Sequence, residues 1–222
     1  MIRIIRTEPL ENGRFVLVDD ICTFGTDAVL LSEFTVVRAS DRVCDLGTGC
    51  GIIPLLWHRT GNAPTVDAVD CSANAVALAR ESVEQNGLSD RITVWEQDWC
   101  ALTLPAGSYD TVVCNPPYFP PGSGKVSEHP ERRLARHESA STLRDVLSAA
   151  HRLLKVGGHF CFCHRPERLA DVIIALRKQG FSPKRLQWVH ARQDSPPFLF
   201  LCDAVKCGKT QLITLPPHIL GK

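Results

Sequence analysis

Short apolar runs alternate with helix-forming stretches from residue 42 onward. The runs have the length and composition of buried strands. The stretches between them place apolar side chains three or four residues apart, which is the spacing of one helix face. Such alternation predicts a parallel sheet with helices on both faces. The predicted strands are Arg42–Leu46, Thr65–Asp70, Ile92–Trp95, Tyr109–Cys114 and His159–Cys163.

Three longer helices are predicted between or after these strands. Ala73–Gln85 is rich in Ala and ends at Asn-Gly, a common helix stop. A second helix is expected to begin at Ser141 or Thr142 and to carry apolar residues on one face as far as Leu154. A third is expected to begin at Pro166.

The two ends of the chain break this alternation. Lys184–His190 and Phe198–Val205 predict two strands with no helix between them, and therefore an antiparallel hairpin at the edge of the sheet. Residues 1–40 form a lead-in that contains a predicted strand, Phe15–Val18, and a helix near Asp27–Phe34.

Length and composition favour one globular unit. The chain has 222 residues, of which 44% are hydrophobic, so we expect a single domain over residues 1–222 with its core in 41–222. It has no apolar run long enough for a membrane span and no signal-peptide pattern, which predicts a cytoplasmic protein. Ten cysteines without a Cys-x-x-Cys pair predict buried free thiols and no metal site.

Charge is divided unevenly along the chain. Residues 1–122 hold 8 Lys and Arg against 16 Asp and Glu, whereas residues 123–222 hold 17 against 8. Such asymmetry favours contact between the basic half and a nucleic acid. The alternative is that folding interleaves the two halves and leaves no basic face.

The strand Tyr109–Cys114 leads directly into Asn115-Pro116-Pro117-Tyr118. The two prolines fix the turn, and Pro117 imposes an extended conformation on Pro116. The Asn115 side-chain oxygen and the Pro116 carbonyl are two acceptors beside the flat ring of Tyr118. This turn suits the exocyclic amino group of a planar molecule. The alternative is a rigid proline turn that closes an ordinary loop.

A glycine-rich loop follows the strand Arg42–Leu46, and the helix Ile52–His58 follows the loop. Asp70 ends the next strand, where a carboxylate can accept both hydroxyl groups of a ribose. The loop lacks the spacing of a dinucleotide site, and Asp45 disfavours phosphates. A nucleoside that carries a positive charge, S-adenosylmethionine, fits better. The loop residues assigned to this cofactor are Asp45, Gly47, Thr48, Gly49 and Gly51.

Other side chains are candidates for the same cofactor. Asp98 follows the third strand and could accept from the adenine amino group, or it could cap a turn at the surface. Asp27 is expected to cap a helix more than to bind a ligand, although the turn with Thr26 could border the methionyl pocket. Cys71 follows Asp70 directly and is included as a cofactor contact.

Taken in order, these residues resemble the Rossmann-like class I S-adenosylmethionine-dependent methyltransferases that modify amino nitrogens. In finer detail the chain is similar to the bacterial valine-tRNA adenine-N6 methyltransferase family. One departure is Cys50, which stands in the glycine loop where Asn or Thr is more usual. The segments that carry the finer resemblance are Phe24–Ala28, Asn115–Phe119, Ala135–Glu138, Leu153–Gly158, His164–Arg168 and Val205–Lys209.

The resemblance implies an α/β fold with a mostly parallel seven-stranded sheet, helices on both faces and an antiparallel C-terminal hairpin. It implies methyl transfer to N6 of the adenine 3′ of the anticodon in a valine tRNA. Asn115, Pro116 and Tyr118 would be catalytic, and Asn115 would also touch the cofactor. The tRNA-binding residues would be Pro117, Tyr118, Phe119, Arg132, Arg133, Arg136 and His137.

Several of these assignments have alternatives. Arg132, Arg133 and Arg136 could equally form a solvated run paired with neighbouring glutamates, and His137 could be structural. A protein glutamine N-methyltransferase, an rRNA or DNA adenine methyltransferase, and a non-catalytic RNA-binding subunit remain alternative functions. The sequence predicts no oligomeric state.

Overall fold

The computed structural model describes residues 4–59, 63–116 and 143–221. The strands are β1 Arg6–Pro9, β2 Phe15–Val18, β3 Arg42–Leu46, β4 Thr65–Asp70, β5 Ile92–Glu96, β6 Tyr109–Cys114, β7 Leu154–His164, β8 Phe181–His190, β9 Pro197–Lys206, β10 Ile213–Thr214 and β11 His218–Ile219. The helices are α1 Thr26–Phe34, α2 Ile52–Trp57, α3 Ala73–Gln85, α4 Leu143–Leu153 and α5 Leu169–Lys178.

The central sheet has the strand order β10-β8-β9-β7-β6-β3-β4-β5, and β11 also pairs with β8. The five strands from β7 to β5 run parallel, while β9 is antiparallel to both β7 and β8. After β5 the chain returns to the other side of β3, so the strand order reverses between β3 and β6. The predicted parallel core and C-terminal hairpin are confirmed, and the two-residue strands β10 and β11 are additions that the sequence pattern did not predict.

Helices cover both faces of this sheet, as predicted. The first apolar core lies under α1, α2 and α3, and the second lies under α4 and α5. Successive side chains of a strand point to opposite faces, so Cys161 and Cys163 of β7 enter the first core while Phe160 and Phe162 enter the second.

The lead-in forms a ribbon beside α3. The predicted strand β2 is confirmed, and it pairs with an unpredicted strand, β1. The Leu17 backbone N–H donates to Oγ of Ser82 at 2.9 Å, and the Asn86 side chain donates to the Phe15 carbonyl at 2.8 Å. These bonds fix the lead-in against the face of α3 that the sheet does not cover.

The expected end of α4 is wrong. Leu154 was assigned to the helix, but α4 ends at Leu153, and Leu154 begins β7 opposite Tyr109 of β6. The strand therefore starts before the predicted His159. Gly157 has a φ of +80°, and the β6–β7 register shifts at this point. The glycines thus mark an irregularity within a strand instead of the end of a helix.

The ten cysteines are all free thiols, but Cys71, Cys100 and Cys207 are exposed, contrary to the expectation that they would be buried. Within the described residues, no cluster of three or more His, Cys, Asp or Glu side chains is placed to bind a metal ion. Among the helices described, none combines the length and the apolar character that crossing a bilayer requires.

Candidate active site

The predicted site residues meet at one edge of the sheet, where the strand order reverses. Leu46 of β3 lies opposite Cys114 of β6, so the glycine loop and Asn115 leave the sheet side by side. Asp70 ends β4 on the other side of β3. A crevice at such a switch point, outside the carboxyl ends of the strands, is the usual ligand site of open α/β sheets.

The glycine loop needs glycine for both conformation and space. Gly47 has a φ of +75°, and a Cβ atom added there would lie 3.1 Å from the Trp99 ring. Gly51 has a φ of +82°, and its added Cβ would lie 3.3 Å from the Cβ of Ala79. Side chains at these positions would be strained by the backbone and crowded by their neighbours. The loop therefore presents bare backbone toward the crevice.

Asp70 is fixed by backbone donors from two loops. Its Oδ2 accepts from the Gly49 N–H and its Oδ1 from the Ser72 N–H, both at 2.9 Å. Burial raises the pKa of Asp70, and these N–H groups oppose the shift. Each carboxylate oxygen keeps further acceptor capacity. The geometry suits a carboxylate that accepts hydroxyl groups at the end of its strand, as predicted for the ribose.

Asp45 is a buried carboxylate for which the described residues provide no hydrogen-bond donor. It is fully buried, and neither side-chain oxygen accepts a hydrogen bond from them. Asp67, one strand away, shows how this fold normally treats such a group. Its oxygens accept from Arg42 at 2.9 Å, Tyr109 at 2.7 Å and Trp95 at 2.7 Å. A buried charge without partners is costly, so Asp45 has a role that the folded chain does not supply.

The electrostatics of Asp45 point to a cationic ligand. Burial, and to a lesser degree the nearby Asp70 charge, raise the pKa of Asp45 to about 7. The Thr48 hydroxyl group offsets part of this rise without reaching the geometry of a normal hydrogen bond. A ligand that brings positive charge next to these carboxylates would relieve their burial. S-adenosylmethionine carries a sulfonium and an ammonium group, so the residues present fit this cofactor.

Asn115 and Pro116 are half-buried at the end of β6. The Oδ1 atom of Asn115 accepts a hydrogen bond from the Cys163 thiol, with 3.1 Å between sulfur and oxygen. The structure therefore places the predicted amine acceptor beside the glycine loop, with a donor from β7 behind it.

The other predicted cofactor residues have mixed outcomes. Gly25, not Asp27, is the N-cap of α1, so the expected cap is wrong. Asp27 lies in the first turn with Thr26, and its carboxylate accepts from the Ala28 N–H at 2.9 Å. Asp98 accepts from the Cys100 N–H at 2.8 Å and so caps a short 3-10 helix, which is the alternative left open for it. A cofactor role for Asp27 or Asp98 stays a prediction.

Some members of the site were not predicted. Asp19 is fully buried and accepts from the Cys22 N–H at 2.6 Å and from the Asn74 side chain at 3.1 Å, which ties the lead-in to the start of α3. Trp99 packs against Gly47 and follows Asp98 directly, a position that could have singled it out. Cys163 was treated only as a buried thiol. Its signal was its place at the end of the strand next to β6.

The remaining predicted residues lie outside the described ranges, and their roles stay predictions. They are Pro117, Tyr118, Phe119, Arg132, Arg133, Arg136 and His137.

Comparison with solved structures supports the fold. A predicted O-methyltransferase from Agrobacterium tumefaciens superposes with a TM-score of 0.70 and 23% identity, covering 87% of each chain. The geranyl diphosphate C-methyltransferase from Streptomyces coelicolor A3(2), solved with S-adenosyl-L-homocysteine, gives a TM-score of 0.59 at 13% identity, covering 82% of this chain and 80% of that one. At these identities the similarity shows a shared methyltransferase fold and nothing finer.

Sequence comparison is more specific. The tRNA1(Val) (adenine(37)-N6)-methyltransferase of Aeromonas salmonicida is 37% identical over 169 residues, which cover 73% of this chain and 68% of that protein. The enzyme of the same name from Aeromonas hydrophila is 37% identical over 68% of this chain and 63% of its own length. Another, from Photorhabdus laumondii, is 30% identical over 96% of this chain and 88% of its own length. The family model described as a methyltransferase small domain matches residues 18–174. This chain therefore belongs to the methyltransferase small domain family and to the family of the tRNA1(Val) (adenine(37)-N6)-methyltransferases.

Proposed function

We propose that this chain transfers a methyl group from S-adenosylmethionine to N6 of an adenine in tRNA, and that this adenine is position 37 of a valine tRNA. The observation that carries the proposal is the position of Asn115 and Pro116. They leave β6 at the switch point, next to a glycine loop and two carboxylates suited to a cationic nucleoside. The names of the relatives support the choice of tRNA and of the adenine.

S-adenosylmethionine supplies the methyl group on a positively charged sulfur. Asp70 would accept its ribose hydroxyl groups, and Asp45 would face its positive charge. Gly47, Gly49 and Gly51 allow its close approach to the backbone. Further contacts are proposed for Thr26 and Asp27 on the methionyl side and for Thr48, Cys71 and Asp98 around the nucleoside.

The adenine amino group is a poor nucleophile because its lone pair is delocalised into the ring. Asn115 Oδ1 and the Pro116 carbonyl would accept its two hydrogens and draw the nitrogen toward tetrahedral geometry. Holding that nitrogen in line with the methyl group supplies much of the rate enhancement. The nitrogen loses its proton after the new bond makes it positive, so water can accept this proton. Tyr118 would stack on the extruded base, a contact worth about 1–3 kcal/mol.

Much of the positive charge in the second half of the chain is used inside the fold. Lys155 pairs with Asp110 at 2.6 Å, and Arg185 pairs with Asp203 at 3.0 Å. The Lys206 ammonium donates to the carbonyls of His151 at 2.6 Å and Leu154 at 2.8 Å. These contacts support the interleaving alternative for this part of the charge.

We therefore assign the phosphate contacts to the loop that follows the active-site turn. Arg132, Arg133 and Arg136 would bind phosphates that flank the target base, and Pro117, Phe119 and His137 would border it. Because its proposed substrate is tRNA, we place the enzyme in the cytoplasm, acting as a single domain.

The experiment is incubation with methyl-labelled S-adenosylmethionine and separate pools of unmodified tRNA, rRNA, DNA and protein. We expect label in tRNA only, recovered as N6-methyladenosine after nuclease digestion. Asn115→Ala serves as the inactive control, which shows that the label depends on the proposed site. Label confined to protein would favour glutamine methylation, and absence of label from every pool would favour a non-catalytic RNA-binding subunit.

A further inference from the structure

The Cys163 thiol contacts the oxygen on which the proposed reaction depends. Its sulfur lies 3.1 Å from Oδ1 of Asn115 and donates a hydrogen bond to it, although the residues are 48 positions apart in the sequence. Parallel pairing of β6 with β7 brings them together, because Cys114 lies opposite Phe162 and the next residue of each strand follows in register.

The donor is held in a fixed position. Cys163 is fully buried, and its backbone pairs with Leu201 of β9. The next residue, His164, stacks on Phe200 with ring centroids 6.2 Å apart, and its Nδ1 accepts from the Arg165 N–H at 2.8 Å. The end of β7 is therefore anchored on the side away from Asn115, and the thiol has little freedom to turn elsewhere.

A carboxamide group needs such a donor if one particular end must face a substrate. Its oxygen and nitrogen ends are nearly equal in size, so hydrogen-bond partners decide which way the group points. If the Asn115 amide were flipped, its NH2 group would face both the thiol and the incoming amine, and donor would meet donor. With Oδ1 toward Cys163, the thiol occupies one lone pair and leaves the second for the amine.

We propose that Cys163 is a positioning residue that selects the acceptor orientation of the Asn115 carboxamide, an inference that rests on the proposed role of Asn115. A thiol suits this task because it is a weak donor. It orients the oxygen while drawing little electron density from it, so Oδ1 remains a good acceptor for the hydrogens of the amine.

Cys161 offers a matched control for the loss of a buried thiol. It lies two residues earlier on the same face of β7, in the same apolar core, and is 1% exposed against 0% for Cys163. Cys161→Ala and Cys163→Ala remove the same atom from similar surroundings. A purely structural role for Cys163 predicts similar effects of the two substitutions on stability and on activity.

The test measures single-turnover methylation of an unmodified tRNA, together with S-adenosylmethionine affinity, in reducing buffer. Cys163→Ala should lower the methylation rate by about fivefold or more, as expected for one lost hydrogen bond. The Kd for S-adenosylmethionine and the KM for tRNA should be unchanged. Cys163→Ser, which keeps a donor, should restore the rate to within about twofold of wild type, and Cys161→Ala should match wild type.

Equal rates for Cys163→Ala and Cys161→Ala, or no recovery with Cys163→Ser, would overturn the proposal. If Cys163→Ala does not fold, Cys163→Val fills the space without a donor and takes its place. If wild-type enzyme labels protein or another nucleic acid instead of tRNA, the proposed function fails, while the same variants on that substrate still decide the role of Cys163. If it labels nothing, both fail together.

Discussion

Replacing Asp45 with Asn should stabilise the ligand-free protein and weaken its binding of S-adenosylmethionine. The Asp45 carboxylate is buried without a donor among the described residues, and burial raises its pKa to about 7. In an unfolded chain the pKa of Asp is about 3.9. Because the pKa is higher in the folded state, folded protein binds the proton more tightly. Stability that is fully present below pH 4 is therefore lost as the pH rises to about 7.

The size of the effect follows from the shift. Three pKa units at 1.36 kcal/mol each give a loss of about 4 kcal/mol at pH 8, and linkage gives about 1.5 kcal/mol at pH 5. Asn cannot ionise, so Asp45→Asn removes this pH dependence. Its advantage in unfolding free energy over wild type should grow by about 2–3 kcal/mol between pH 5 and pH 8. Any constant cost of burying the amide cancels in this difference.

Urea denaturation at both pH values measures it. Asp67→Asn is the control, because it removes the charge from a buried carboxylate that has partners and should lower stability at pH 8. In calorimetry Asp45→Asn should bind S-adenosylmethionine about tenfold or more weakly, the loss expected for a contact to a charged group. Identical pH slopes for wild type and Asp45→Asn would refute the account of a carboxylate destabilised for its ligand.

Three further substitutions test other parts of the molecule. Asp70→Ala should raise the Kd for S-adenosylmethionine about tenfold or more because it removes the ribose acceptor, and an unchanged Kd in calorimetry would remove Asp70 from the site. Asn115→Ala should lower kcat by at least about 10²-fold with the Kd for S-adenosylmethionine nearly intact, and retained turnover would end its assigned role. Lys206→Met should cost about 1–2 kcal/mol in urea unfolding, because its ammonium no longer meets the carbonyls at the end of α4. Unchanged unfolding would show that this cap contributes nothing.

The body of the fold could be predicted because its signals are local. Each strand from β3 to β6 is a short apolar run that enters or leaves a helix, and parallel strands buried on both faces carry this pattern along their whole length. The ends of elements were less certain. Leu154 has helical spacing in the sequence, but its pairing with Tyr109 across the sheet decides its conformation. The ribbon strand β1 and the two-residue strands β10 and β11 depend on tertiary pairing alone.

The site divides in the same way. Asp45, the loop glycines and Asp70 were predicted because each stands at the end of a strand, where parallel strands bring them to one edge. Cys163 was missed because only the register of β7 against β6 brings it to Asn115. Burial without partners, which distinguishes Asp45 from Asp67, is likewise a property of the folded chain. The single domain and the roles of the residues after Pro116 stay predictions.

The most direct test of the central claim is to map the methyl group on a single substrate. An unmodified valine tRNA transcript with adenine at position 37, and the same transcript with guanine there, are incubated with the enzyme and S-adenosylmethionine. Mass spectrometry of the digested RNA then locates the product. We predict N6-methyladenosine at position 37 of the first transcript and none in the second. Equal methylation of both transcripts, or N6-methyladenosine in neither, would contradict the account.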